Sequence, residues 1–143
     1  MTSPQELSAR HTLRTAVARY EELRARDSLA GSAEDDAPAV AAAEQLTQAE
    51  VLEMLALAQV IARKAGYGQQ LTVRTARATG ASWSAIGRAL DMSKQAAWES
   101  HTRWIEDQAA QHRDSGYAGL DDLSVARARR LAGRPDDRPG QGT

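Results

Sequence analysis

The side chains best suited to chemistry in this chain are grouped at residues 94–103. Lys94, Gln95, Glu99 and Arg103 follow one another at steps of 1, 4 and 4, which sets them along one face of a helix. Their types match the exposed edges of base pairs. Gln pairs with adenine N6 and N7, Lys or Arg reaches guanine O6 and N7, and Glu accepts from cytosine N4. The chemistry they imply is hydrogen-bond reading of a DNA major groove.

Other chemistries have less to work with. The chain has no cysteine, and His11, His101 and His112 form no close pair at helical spacing, so no metal site is expected. No glycine-rich phosphate loop and no G-x-S-x-G elbow is present. Gly66-Tyr67-Gly68 has two glycines and no strand before it, and is expected to stop a helix. The expectation is a protein that is not an enzyme and uses no cofactor.

A reading face needs a helix held at a fixed angle, and the residues before it supply one. Ser82 is apt as a cap for a first helix whose Trp83, Ile86 and Leu90 face one core. Gly87 is small where a second helix must come close. Asp91-Met92-Ser93 then provides a residue that tolerates a left-handed backbone, an apolar plug and a second cap. From Ser93 onward, Ala97, Ser100, His101, Trp104 and Ile105 fall on the inner side. This is the pattern of a helix-turn-helix over residues 82–104.

The motif Gly80, Ser82, Trp83, Ile86, Gly87, Leu90, Ser93, Gln95, Ala96 and Ala97 resembles the small helix-turn-helix regulators common in actinobacteria. It is similar also to sigma-factor region 4 and to homeodomain-like folds. It covers about 25 of 143 residues and departs from the pattern at Asp91, where Gly is preferred. The resemblance implies a DNA-binding transcriptional regulator or nucleoid-associated protein, and it implies nothing about the first half of the chain.

Residues expected on the DNA backbone are Arg74, Arg77, Ser82, Ser84, Arg88 and Ser93, by charge or by position at a helix start. Trp98 has two assignments, against the 71–79 helix or at the edge of the DNA surface. The net charge of -1 is low for a nucleic-acid binder, but its distribution is uneven. Residues 71–105 carry five cations against two anions, whereas residues 1–70 carry seven against ten.

The frame around the motif reads as all-α, a helical bundle with a C-terminal helix-turn-helix. Leu7, Leu13, Val17, Tyr20 and Leu23 predict one N-terminal amphipathic helix over 4–27, started by Ser3 or Thr2 with Pro4 in the first turn. Residues 27–38 are rich in Gly, Ser, Pro and acids and predict a mobile loop. Residues 39–65 predict one helix or two collinear ones, with a capping box at Thr47-x-x-Glu50. The wide apolar face at Val51, Leu52, Leu55, Leu57, Ala58, Ile61 and Ala62 is expected to be buried at the centre of the core. The 71–79 segment predicts a short helix closed by Gly80, and a short amphipathic piece is expected over 121–131.

The expected organisation is therefore a dimerisation and core region over 1–70, a DNA-binding region over 71–112 and a weakly ordered tail over 113–143, with its last ten residues disordered. A lone helix-turn-helix reads few base pairs, so a homodimer on double-stranded DNA is expected. The longest apolar stretch is far short of the roughly 20 residues of a membrane span, and the first residues lack a signal-peptide pattern, so a cytoplasmic, nucleoid location is expected. The competing expectation is a protein-interaction adaptor, antitoxin-like or binding a sigma factor or RNA polymerase.

Overall fold

The computed structural model describes residues 3–32 and 45–137, and every regular element in them is a helix. Each helix begins at a side chain that satisfies its first free N–H groups. Helix α1 (Pro4–Arg10) starts at Ser3, which accepts from Glu6 N at 3.2 Å while Ser3 N donates to Glu6 Oε2 at 3.1 Å. Helix α2 (Leu13–Ser32) follows Thr12, which exchanges hydrogen bonds with Thr15 at 3.0 and 3.2 Å. Helix α3 (Gln48–Ala78) opens on the expected reciprocal pair of Thr47 and Glu50, both bonds being 3.1 Å. Ser82, Ser93 and Asp121 cap α4 (Trp83–Ala89), α5 (Lys94–Ser115) and α6 (Asp122–Ala132).

These starts correct three expectations. The 4–27 segment is two helices, because the Thr12–Thr15 exchange begins a new one after His11 takes an extended backbone. The second of them continues through Asp27 to Ser32, so residues 27–32 of the expected loop are helical; residues 33–44, which hold the rest of that expected loop and the first part of the expected 39–65 helix, lie outside the described residues. Gly66 and Gly68 do not stop a helix. Neither has a positive φ, and α3 runs through both, with the Gly68 carbonyl accepting from Thr72 Oγ1 at 2.9 Å. Each glycine costs about 1 kcal/mol relative to alanine inside a helix, which the surrounding turns outweigh.

The chain divides into two compact units, Met1–Tyr67 and Gly68–Thr143. The first has a core of Leu7, Ala16, Leu23, Met54, Ala56, Leu57 and Val60. Two part-buried ion pairs, Arg19 with Glu53 at 2.8 Å and Arg26 with Glu50 at 2.5 Å, flank it. The apolar face expected at the centre of the core is mostly outside it: Leu57 is buried and Ile61 half-buried, whereas Val51, Leu52, Leu55, Ala58 and Ala62 are exposed, Leu55 at 64%, and Met54, Ala56 and Val60 face the core with Leu57 instead.

The second unit is organised around Trp83, Ile105, Val73, Ile86, Ala97, Val125, Ala128 and Ala132. Residues 113–137 are not a loose tail. Helix α5 continues to Ser115, where Gly116 caps it, and α6 places Val125, Ala128 and Ala132 in the core. The i, i+3, i+7 spacing of these small apolar residues is what lets α6 lie close to its neighbours. Of the last ten residues, 134–137 form a turn, and 138–143 lie outside the described residues.

Candidate nucleic-acid interface

The geometry of α5 is set by the turn before it. Asp91 takes φ +55°, the left-handed conformation that its short polar side chain tolerates. Met92 N then donates to Gly87 O at 2.9 Å. A Cβ on Gly87 would lie 2.6 Å from Met92 O and 3.1 Å from Lys94 N, so only glycine admits this approach. Met92 is not the expected apolar plug, since its side chain is 40% exposed. The close contact is made by its backbone.

Within α5 the inner and outer faces divide as the spacing predicts. Ala97, His101 and Ile105 are buried and Ser100 and Trp104 half-buried, while Lys94, Gln95, Glu99 and Arg103 are exposed. Two of the outward side chains already bond each other, Gln95 Nε2 donating to Glu99 Oε1 at 2.9 Å. Lys94 forms an ion pair with Asp136, a partner the sequence offered no reason to expect.

The residues expected on the DNA backbone separate into different environments. Ser84 and Arg88 are exposed and Arg74 is half-buried. Ser82 and Ser93 accept through Oγ from Ala85 N and Ala96 N at 3.1 and 3.0 Å, which leaves each hydroxyl hydrogen free to donate. Arg77 does not belong with them. It is buried at 6% exposure, donates from Nε to Leu131 O at 2.9 Å and from a terminal nitrogen to Ala81 O at 3.1 Å, and lies over the Trp83 ring at 5.1 Å. Burial lowers its pKa, and the Asp137 charge acts in the opposite sense.

Trp98 takes neither expected position outright. It is half-buried against the core and its Nε1 donates to Gly133 O at 2.7 Å. Trp83, which is fully buried, donates likewise to Ala132 O at 2.8 Å. Leu131, Ala132 and Gly133 at the end of α6 therefore give their carbonyls, in order, to Arg77, Trp83 and Trp98. Helix ends leave such carbonyls free, and here side chains of α3, α4 and α5 satisfy them.

His101 lies between two indoles, 5.6 Å from the Trp83 ring and 5.5 Å from the Trp104 ring, the latter stacked. Its Nδ1 is 2.8 Å from Gln70 Oε1, a bond in which the neutral ring donates. Burial, with the charges of Arg74 and Arg77, pulls its pKa down to about 4. It is a core histidine. Among the described residues no group of three His, Cys, Asp or Glu side chains could hold a metal ion, and no helix is long and apolar enough to cross a membrane.

A groove of about 320 Å³ lies along α6, lined by Arg74, Thr75, Ser124, Arg127 and Leu131 among others, with no carboxylate. The sequence offered a signal for it in the basic run of the 121–131 segment. No family model, curated protein or solved structure matches the chain.

Proposed function

We propose that the protein binds double-stranded DNA as a regulator of transcription or a nucleoid-associated protein, with α4, the Asp91 turn and α5 acting as a helix-turn-helix. Helix α5 enters the major groove, Lys94, Gln95, Glu99 and Arg103 read base edges, and Arg74, Ser82, Ser84, Arg88 and Ser93 hold phosphates. The observation that carries this reading is the contact of Gly87 with the Met92 carbonyl. It brings α4 against the start of α5 and leaves the polar first turn of α5 outward. The net charge of -1, with a positive excess confined to residues 71–105, favours two copies on one duplex. The exposed Val51, Leu52 and Leu55 are an apolar surface suited to a second copy and support the reading of a homodimer, proposed to act on the nucleoid in the cytoplasm.

The test is fluorescence anisotropy on mixed genomic fragments across a salt series. Non-specific binding at about 10⁻⁴ to 10⁻⁶ M, weakening steeply with salt, is the expected outcome. No binding at low salt would remove the proposal. One observation favours the second reading, an adaptor for an acidic partner such as RNA polymerase or a sigma factor: the acid-free groove of Arg74, Arg127 and Leu131 along α6. Co-purification lost in an Arg127→Glu variant, with DNA binding absent, would decide for it.

A further inference from the structure

The turn that follows α6 is built onto the first two turns of α5. Helix α6 ends at Ala132, and Gly133, at φ +54°, sends the chain back across the unit. A Cβ at Gly133 would meet Asp137 Oδ2 at 2.7 Å, so the turn closes tightly. Its ends are bonded to each other, Arg134 N donating to Asp137 Oδ2 at 2.8 Å and Asp137 N to Arg134 O at 3.1 Å. Pro135 fixes one backbone angle inside it. The turn touches α5 twice, at residues one helical turn apart: Trp98 Nε1 donates to Gly133 O, and Lys94 Nζ donates to Asp136 Oδ1.

We infer that the 134–137 turn is an internal competitor for DNA, with the Asp136 carboxylate occupying Lys94 in the position a DNA acceptor would take. The inference rests on the proposed DNA-binding role of α5. The chemistry of the exchange is like for like: a carboxylate oxygen gives way to a phosphate or guanine oxygen on the same ammonium group. Both partners are open to solvent, the side chains being 48% and 80% exposed, so the pair is weak and can be displaced. The Trp98 bond to Gly133 is part-buried and keeps the turn in place while Asp136 lets go. Asp136 also places a negative charge beside the proposed DNA surface, so Lys94 contributes least when the turn is closed and most when it is open.

The experiment is a cycle of Asp136→Asn, Lys94→Ala and the double variant in the full chain. DNA affinity is measured across a salt series, and urea unfolding is measured without DNA. Asp136→Asn is expected to tighten binding about two- to fivefold, Lys94→Ala to weaken it, and the gain from Asp136→Asn to vanish when Lys94 is absent. The unfolding cycle is expected to show a coupling between the two residues in the free protein. If the wild type binds DNA and Asp136→Asn changes nothing, the competitor is overturned and the DNA-binding reading stands. If Asp136→Asn gives the same gain with and without Lys94, its effect is general charge, and the specific competition is overturned. Failure of every variant to bind DNA at low salt, with the unfolding coupling intact, overturns both.

Discussion

Trp83 Nε1 donates to the carbonyl of Ala132 at 2.8 Å, which ties the first residue of α4 to the last residue of α6. The bond is fully buried, and its neighbours on either side, Arg77 to Leu131 and Trp98 to Gly133, repeat it. The segment after α5 is thus part of the structure that presents the candidate reading helix. Trp83→Phe keeps most of the buried area but leaves the Ala132 carbonyl without its donor, and should cost about 1–3 kcal/mol in urea unfolding. A chain ending at residue 120 should lose the fold of the second unit outright, visible as lost helical signal and Trp fluorescence.

Arg74 and Arg77 lie one turn apart on α3 and should respond to substitution in opposite ways. Arg77→Met strands the Leu131 and Ala81 carbonyls and should destabilise by about 2–4 kcal/mol, with Arg77→Lys only a partial rescue, since an ammonium group lacks the planar fork. Arg74→Ala should leave the melting temperature nearly unchanged and, if DNA is the partner, flatten the salt slope by about one unit. An Arg77→Met protein of wild-type stability would contradict the buried role drawn for this residue.

The turn before α5 makes two predictions of opposite sign. Gly87→Ala forces a Cβ to within 2.6 Å of a backbone oxygen and should cost about 1–3 kcal/mol. Asp91→Gly removes the penalty of a left-handed backbone at φ +55° and should stabilise by up to about 1 kcal/mol. Thermal melts of the two variants check both. A neutral Gly87→Ala would mean that the turn relaxes to admit a methyl group.

What could be read from the sequence follows the range of the forces involved. Caps at Ser3, Thr47, Ser82 and Ser93, and the inner face of Ala97, His101 and Ile105, depend on residues within a few positions of each other, and the structure has them. Arg77 looked like a surface charge because one of its acceptors, Leu131, is 54 residues away on α6, and the other, Ala81, is brought within reach only by the turn at Gly80. The Lys94 partner was hidden for the same reason, since Asp136 is 42 residues on. Gly66 and Gly68 were misleading in another way. Glycine stops a helix only where the chain needs a positive φ, and Gly80 meets that need instead. The break at Thr12 was legible in principle from the Thr12-x-x-Thr15 spacing, but the apolar period running across it concealed it.

His101 gives the second unit a built-in sensitivity to acid. Its ring is 1% exposed, between Trp83 and Trp104, with Gln70 accepting from Nδ1 and the cations Arg74 and Arg77 close enough to disfavour protonation. The folded pKa of about 4 lies below the ordinary value of 6.5. Between those values the unfolded chain binds a proton that the folded chain refuses, so stability rises with pH across this window. The contribution is complete above pH 6.5 and is lost as pH falls toward about 4, an effect on the order of 3 kcal/mol. Urea unfolding of the wild type at steps from pH 8 to pH 4 should show this loss. His101→Gln, which keeps a side chain able to bond Gln70 but cannot titrate, should start less stable at pH 8 and decline less on acidification. Parallel curves for the two proteins would place the acid sensitivity in other groups.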